Sequence, residues 1–209
     1  MYRIGIIDED AGQRSSFYHT FKNDFEIQEI EPQGGKSEED LVREAFDNHV
    51  DMLIIDYQMA DEIGYNGDLV AKKLREFNPY FPVIILTSWE GDATDHVDDA
   101  HIIYGKEVLS ADCSPKVIEI FIKKITALIR NYNSQVLSAE ERVKELTEKR
   151  KEERFLPNEE DEFVEVNNFL EKVYGGGSIT SKQFYSQDTN ESLNELIEET
   201  EKLLNKLSN

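Results

Sequence analysis

The chain has little cysteine, few basic residues and no long apolar run. Its single cysteine, Cys113, excludes an internal disulfide and a cysteine-based zinc cluster. Only 23 lysines and arginines stand against 44 aspartates and glutamates, and the net charge of -21 disfavours binding to nucleic acid or to an anionic membrane. No apolar stretch approaches the roughly 20 residues of a membrane-spanning helix, and the amino terminus does not resemble a signal peptide. We therefore expect a soluble, acidic, cytoplasmic protein.

The first 130 residues alternate short apolar runs with helical patterns. The runs at 52–55 and 83–86 are nearly continuous, which is typical of strands buried on both faces. Ser37 and Ser114 are suitable N-caps for two of the helices. Three further strand patterns complete the set, at residues 2–7, at 25–31, where the alternation is weaker, and at 101–104, which is short. Five strands alternating with helices predict an α/β fold with a doubly wound, five-stranded parallel sheet.

Residues 131–209 carry no strand signal and predict an α-helical C-terminal region. We place the domain boundary at residue 130. Beyond it, the apolar spacing predicts three helices and one polar, mobile tract. In chain order these are a long helix to about residue 154, a helix at about 160–174, the mobile tract at 175–190 and a helix at about 191–207.

The long helix has two open features. Polar residues at 131–134 and a capping box at 138–141 are compatible with a break, whereas the apolar steps of three and four are compatible with one continuous helix. The apolar stripe from 118 to 146 would form the coiled-coil seam of a homodimer, or it would pack against the two later helices. The sequence leaves both choices open.

Polar residues follow the predicted strands at the points where these strands end. Asp8 and Glu9 follow the first strand, Asp56 the third and Thr87 the fourth, and Lys106 lies just beyond the fifth. Because the carboxyl ends of parallel strands share one edge of a sheet, these side chains should converge. Grouped carboxylates repel one another unless a cation neutralises them, and oxygen ligands select a hard ion such as Mg²⁺. The set is suited to phosphoryl transfer onto a carboxylate.

Residues 1–130 resemble the receiver (CheY-like) domain of bacterial two-component response regulators. The acids at 8–10 are similar to the acidic metal-binding cluster of that family, and the segment 56–59 is similar to its phosphoacceptor followed by methionine. The segment 82–88 resembles the fourth strand with its switch hydroxyl, and Lys106 matches the active-site lysine. The four motifs occur in order at matching strand ends.

The resemblance implies a function as a phosphorylated signalling protein. Asp56 would accept a phosphoryl group from a histidine kinase or a phosphotransfer protein, and Mg²⁺ would be held by Asp8, Glu9 and Asp56. Thr87 and Lys106 would stabilise the phosphoryl oxygens. The output would be protein contacts of the helical C-terminal region. The protein would not be an enzyme beyond self-phosphorylation and slow autodephosphorylation.

Several positions depart from the family pattern. Ala60 and Glu107 replace prolines, and Ile103 stands where the family has its switch aromatic. A few extra residues precede Gly67, and the span before Lys106 is short, which predicts a curtailed fourth helix. These departures favour an alternative, in which the protein is a phosphorylation-independent, oligomerising scaffold or adaptor. A DNA-binding role is disfavoured by the acidic charge of both regions.

Overall fold

The computed structural model describes residues 1–32, 35–59, 63–88, 102–110, 112–151 and 156–174. The predicted mobile tract at 175–190 and the helix at 191–207 lie outside these residues, as do Ala60, residues 61 and 62 of the extra segment before Gly67 and the region of the predicted fourth helix. The strands are β1 (Arg3–Ile7), β2 (Glu26–Ile30), β3 (Met52–Asp56), β4 (Val83–Thr87) and β5 (Ile103–Gly105). The helices are α1 (Ala11–Phe21), α2 (Glu38–Asp47), α3 (Gly67–Phe77), α4 (Pro115–Lys151) and α5 (Pro157–Tyr174), with a 3₁₀ turn at Lys106–Leu109.

The five strands form one parallel sheet in the order β2-β1-β3-β4-β5. This is the order of flavodoxin-like doubly wound folds, in which ligands bind outside the carboxyl ends of the strands. Helices α1 and the first half of α4 pack on one face, and α2 and α3 pack on the other. The predicted α/β fold with a doubly wound, five-stranded parallel sheet is therefore confirmed.

The central strands are buried on both faces, as their apolar runs predict. Every residue of β3 and β4 is buried. Along β3, Leu53 and Ile55 join the core under α2 and α3, whereas Met52 and Ile54 join the core under α1 and α4. Each such side chain contributes on the order of 1.5–3 kcal/mol through the hydrophobic effect, so burial between the two helical layers stabilises the sheet.

Both predicted caps begin helices. The Ser37 hydroxyl accepts a hydrogen bond from the backbone N–H of Asp40 at 3.2 Å, and the Ser37 N–H donates to Asp40 Oδ2 at 2.9 Å. At α4 the Ser114 hydroxyl accepts from the N–H of Val117 at 3.4 Å. The resulting hydrogen bonds satisfy backbone donors that a helix leaves unpaired in its first turn.

Helix α4 is continuous over 37 residues, which is about 55 Å at 1.5 Å per residue. It passes through residue 130, so the predicted domain boundary lies inside a helix and stays a prediction. The polar stretch at 131–134 does not break it, because Tyr132 is held by the domain. The Tyr132 ring meets Phe81 at 5.9 Å, and its hydroxyl accepts a hydrogen bond from Asn78 Nδ2 at 2.9 Å.

Beyond the domain, α4 and α5 form an antiparallel helical hairpin. Arg142 on α4 donates to both carboxylate oxygens of Glu162 on α5, at 2.7 and 2.6 Å, and the Lys149 ammonium lies 2.7 Å from Glu159. Leu146 on α4 is completely buried. Part of the apolar stripe is therefore covered within the chain, first by the sheet and then by α5, whereas Leu128 is exposed. No helix of the described residues has the length and apolar character required to cross a membrane.

The hairpin returns to the domain at the loop between α3 and β4. Asn78 is only 1% exposed, and its Nδ2 donates to the backbone carbonyl of Val173 at 3.1 Å as well as to Tyr132. The Tyr80 and Phe169 rings lie 4.7 Å apart between centroids. This loop leads into the amino end of β4, so the hairpin docks at the end of the sheet opposite to the predicted site.

Replacing Asn78 with alanine should release α5 from the domain. The substitution removes two hydrogen bonds to the hairpin and a third to the N–H of Tyr80, and each is worth about 1 kcal/mol. We expect amide hydrogen exchange in α5 to accelerate by roughly 10-fold or more, since 1.4 kcal/mol is a factor of ten in an opening equilibrium.

The matched control is Asn167→Ala, because among the described residues Asn167 Nδ2 donates only to the carbonyl of Phe163, within α5. Equal exchange rates in the Asn78 variant and the wild type would show that this residue does not hold the hairpin.

Candidate functional site

The carboxyl edge of the sheet brings four elements together. Asp8 follows β1 directly, Asp56 ends β3, Thr87 ends β4, and Lys106 follows β5 directly at the start of the 3₁₀ turn. The Lys106 ammonium lies 2.9 Å from Asp8 Oδ2 and 2.9 Å from Asp56 Oδ1. Carboxylate oxygens of Asp8, Glu9 and Asp56 lie within 4.8 Å of one another. The structure thus brings together the acids and the lysine that the sequence predicts at this edge.

Three side chains of the site are almost completely buried. Asp8 is 2% exposed, Asp56 is 4% exposed and Thr87 is completely buried. Three carboxylates face one ammonium group, so the cluster carries an excess of negative charge in a region of low dielectric. Such an arrangement is costly unless protons or a cation reduce the charge.

The ionisation of the cluster reflects this excess. Burial and the charges of Asp56 and Asp8 raise the pKa of Glu9 from 4.5 to about 7. Burial also raises the pKa of Asp56, although the Lys106 ammonium opposes this effect. For Lys106, burial alone would lower the pKa, but the charges of Asp56 and Asp8 outweigh burial and raise it. Lys106 is therefore charged at neutral pH, whereas Glu9 is close to its titration midpoint.

The acids fit a hard divalent cation. Glu9 Oε2 is buried and has no hydrogen-bond partner among the described residues, and burying a carboxylate oxygen without a partner is unfavourable. The candidate ligands are all oxygens, which is the donor set of Mg²⁺. A cation coordinated by Asp8, Glu9 and Asp56 would satisfy that oxygen and offset the excess charge.

Asp10 has a different role from its two neighbours. Its carboxylate accepts a hydrogen bond from the N–H of Gly12 at 2.7 Å and caps α1, and its side chain is exposed. Its own N–H donates to Asp8 Oδ1 at 2.9 Å. Glu9, and not Asp10, therefore completes the acidic group.

Gly67 allows the start of α3 to pack directly against the backbone of Asp56. A Cβ atom at Gly67 would lie 2.0 Å from the carbonyl oxygen of Asp56 and 2.8 Å from Ile55 Cγ2. The N–H of Gly67 donates to the carbonyl of Tyr57 at 2.8 Å. Only glycine allows α3 to begin this close to the end of β3.

The two faces of β5 differ from each other. Ile103, which the sequence resemblance places at the switch position, packs on the α2 and α3 side of the sheet. Tyr104 lies on the opposite side, where its ring contacts Phe121 at 5.9 Å and Lys124 at 4.8 Å. The aromatic residue of β5 is therefore held against α4 and does not take the place of Ile103.

An open cavity of about 320 Å³ adjoins Lys106. Five polar residues and one leucine from α1, the end of β4 and the 3₁₀ turn line it: Gln13, Ser88, Lys106, Glu107, Leu109 and Ser110.

One residue of the site was not singled out from the sequence. Arg14 is 5% exposed, and its Nη1 donates to the carbonyl of Asp8 at 2.7 Å and to that of Glu9 at 3.1 Å. Its signal in the sequence is its position, because residues 14, 17 and 21 share one face of α1 and the other two are buried phenylalanines. A charged residue in a buried aromatic stripe indicates a specific polar partner.

No protein-family model matches the chain, and no curated protein matches it. The order β2-β1-β3-β4-β5 of its parallel sheet gives the chain a flavodoxin-like doubly wound fold. Among solved structures, chemotaxis protein CheY4 of Vibrio cholerae is 15% identical, with 60% of this chain and 98% of that chain covered and a TM-score of 0.45. Response regulator TrrA of Thermotoga maritima, solved in complex with Mg²⁺ and BeF, is 21% identical, with 60% and 99% covered and a TM-score of 0.44. An adenylate cyclase structure from Rhodopirellula baltica is 21% identical, with 66% and 94% covered and a TM-score of 0.47.

Proposed function

We propose that the chain is a two-component response regulator in which Asp56 accepts a phosphoryl group. The donor is the phosphohistidine of a histidine kinase or of a phosphotransfer protein. The observation that carries this proposal is the contact of Lys106 with both Asp56 and Asp8, each at 2.9 Å, beside the unpartnered oxygen of Glu9. A purely structural ion pair would not need the third carboxylate.

Asp56 is the nucleophile in the proposed reaction. A carboxylate oxygen of Asp56 attacks phosphorus, the bond from phosphorus to the donor nitrogen breaks, and its electron pair remains on the imidazole. The Lys106 ammonium contacts Oδ1 of Asp56. It is therefore placed to stabilise negative charge on a phosphoryl group that is transferred to this carboxylate. Catalysis of this kind rests mainly on positioning and charge neutralisation.

Asp8, Glu9 and Asp56 would hold Mg²⁺, which when bound neutralises charge on the phosphoryl oxygens. Thr87, at the end of the strand next to β3, would donate its hydroxyl to a phosphoryl oxygen. The same residues would support slow autodephosphorylation, and the protein would have no further enzymatic activity.

The proposed output is a protein contact of the helical C-terminal region. The net charge of -21 opposes an output through nucleic acid or an anionic membrane. The hairpin of α4 and α5 is continuous with the domain through α4, so it would transmit a change in the domain to a protein partner. The cytoplasm is the compartment where a histidine kinase would meet it.

Incubation with Mg²⁺ and acetyl phosphate, followed by intact mass measurement, tests the phosphorylation. We expect the wild type to gain one phosphoryl group, and the Asp56→Asn variant to gain none. The matched control is Asp10→Asn, which keeps an oxygen to cap α1 and should be phosphorylated like the wild type. The proposal would be wrong if the wild type gained no mass or if the Asp56 variant gained as much.

A second candidate function is a phosphorylation-independent scaffold. It is favoured by Ile103 at the switch position and by the docking of the hairpin at the end of the sheet opposite to Asp56. A homodimer through the helix at 118–146 would then use exposed side chains of α4 such as Ile120 (45% exposed) and Leu128 (39% exposed). Light scattering with and without beryllofluoride distinguishes the two functions, since the scaffold should keep one oligomeric mass in both conditions.

A further inference from the structure

We propose that Arg14 is a positioning residue that orients Asp8 and Glu9 for the metal. This inference rests on the proposed function, because it concerns the Mg²⁺ site of the same cluster. Arg14 does not reach the acidic carboxylates of the site. Arg14 instead donates hydrogen bonds to the backbone carbonyls of Asp8 and Glu9, in the connection between β1 and α1.

The hydrogen bonds of Arg14 begin where the ladder of the sheet ends. The pairing of β1 with β2 runs from Arg3↔Glu26 to Ile7↔Ile30. The next two carbonyls of the chain, those of Asp8 and Glu9, accept from Arg14 Nη1 at 2.7 and 3.1 Å. A side chain of α1 therefore supplies donors to backbone acceptors that lie just past the strand.

The same guanidinium is held from the β2 side. Arg14 Nε lies 3.4 Å from Glu29 Oε2, and Nη2 lies 3.1 Å from Glu31 Oε1. Glu29 is in β2 and Glu31 follows its last residue. Arg14 thus links the end of β2 to the backbone of the acidic turn and extends the connection between the two strands beyond their ladder.

The chemistry of this position requires arginine. The side chain of Arg14 is 6% exposed, whereas those of Glu29 and Glu31 are 47% and 51% exposed. A guanidinium offers five donors in a fixed plane, so it can serve two carbonyls and two carboxylates at once. A lysine would retain the charge and serve only part of this set.

The consequence is a metal site whose geometry depends on a residue outside it. Asp8 and Glu9 are adjacent in a turn, so rotation of their shared peptide would move both carboxylates. Partners that orient metal ligands typically change metal affinity by about 10- to 100-fold when they are removed. We therefore expect the loss of Arg14 to change the affinity for Mg²⁺ more than it changes the rate of phosphorylation at saturating Mg²⁺.

The test measures Mg²⁺ binding and Mg²⁺-dependent phosphorylation in the same variants. In Arg14→Met, the dissociation constant for Mg²⁺ from calorimetry and the half-saturating Mg²⁺ with acetyl phosphate should both rise by about 10- to 100-fold. The rate at saturating Mg²⁺ should stay close to that of the wild type. Arg14→Lys should give an intermediate shift. Arg43→Met removes an exposed arginine that pairs with Glu39 on α2, has the same change in charge and should shift neither value.

Three outcomes would overturn the inference. The first is a folded Arg14→Met variant with the Mg²⁺ affinity of Arg43→Met. The second is a loss of rate at saturating Mg²⁺ with no shift in half-saturation, which indicates general damage. The third is a wild type that binds no Mg²⁺, which would also remove the metal from the proposed function. If the wild type binds Mg²⁺ and only the Arg14 effect is missing, the proposed function stands and this inference falls.

A second variant covers the case in which Arg14→Met does not fold. The double change Glu29→Gln with Glu31→Gln leaves Arg14 in place but removes its anchors. It should raise the half-saturating Mg²⁺ in the same direction, by less than Arg14→Met. The charge-matched control is Glu38→Gln with Glu39→Gln on α2, and equal behaviour of the two double variants would overturn the inference.

Discussion

The Gly67→Ala variant should be less stable than the wild type by about 3 kcal/mol, at the upper end of the usual range for overpacking. It should also be phosphorylated more slowly at Asp56. The cause is a direct conflict, because the new Cβ would lie 2.0 Å from the carbonyl oxygen of Asp56 and 2.9 Å from its carbonyl carbon. These are backbone atoms of a buried strand, which cannot move aside as the end of a flexible side chain can.

Relief of the clash requires α3 or the end of β3 to shift. Either movement displaces Asp56 relative to Lys106, whose ammonium now lies 2.9 Å from it. Catalysis by positioning is sensitive to such displacements. The loss of stability and the slower phosphorylation should therefore appear together in one variant.

Chemical denaturation and the acetyl phosphate assay measure the two effects. The control is Gly12→Ala in α1, where the nearest atom to the added Cβ is the side-chain oxygen Oδ1 of Asp10 at 3.0 Å. That carboxylate is exposed and can rotate, and alanine favours the helix, so the stability should change by less than about 1 kcal/mol. A Gly67→Ala variant as stable as Gly12→Ala would contradict this account of the close approach.

The sheet and most of its site were predictable because the signals were local. The runs at 52–55 and 83–86 are continuous and apolar, and such strands are buried on both faces in any context. Once a parallel sheet is assigned, the convergence of Asp56, Thr87 and Lys106 follows from the strand direction alone.

The continuity of α4 was not decided by the sequence because a distant contact decides it. Residues 131–134 are poor helix formers, and local propensity alone favours a break. Asn78 and Phe81 hold Tyr132 from a loop more than 50 positions earlier in the chain. Tertiary contacts override propensity here, and the docking of Tyr80 on Phe169 escaped prediction for the same reason.

Arg14 escaped prediction because its partners are backbone groups. The carbonyls of Asp8 and Glu9 have no signature in the sequence, and Glu29 and Glu31 look like ordinary exposed acids of an edge strand. Only the placement of an arginine on the buried face of α1 was visible beforehand. Its role depends on where the ladder between β1 and β2 ends, which the sequence does not define to the residue.

Without Mg²⁺, the Glu9→Gln variant should be more stable than the wild type at pH 8. The folded pKa of Glu9 is raised from 4.5 to about 7, mainly by burial and by the charge of Asp56. Below pH 4.5 the carboxyl is protonated in both states and has no effect on the free energy of unfolding. Between pH 4.5 and 7 the unfolded chain releases the proton more readily than the folded one, so the stability of the wild type falls as the pH rises.

The penalty is complete above pH 7, and glutamine does not experience it. A raised pKa of this size, reduced for the partial exposure of Glu9, corresponds to about 1–2 kcal/mol. The pKa of Asp56 is also raised, so the stability of the Glu9→Gln variant should still fall as the pH rises, but less steeply than that of the wild type. Thermal unfolding in EDTA at pH 4, 6 and 8 should show a difference between the two proteins that grows with pH.

Mg²⁺ should reverse this order at pH 8. Binding to the folded state would stabilise the wild type through its three carboxylates, whereas Glu9→Gln has lost one of them and should gain less. Glu107→Gln removes an exposed glutamate next to Lys106 and serves as the charge-matched control, which should follow the wild type with and without Mg²⁺. If Glu9→Gln were no more stable than Glu107→Gln in EDTA at pH 8, ionised Glu9 would not destabilise the folded protein. A site residue whose neutralisation stabilises the free protein and weakens its response to Mg²⁺ is placed for binding and not for folding.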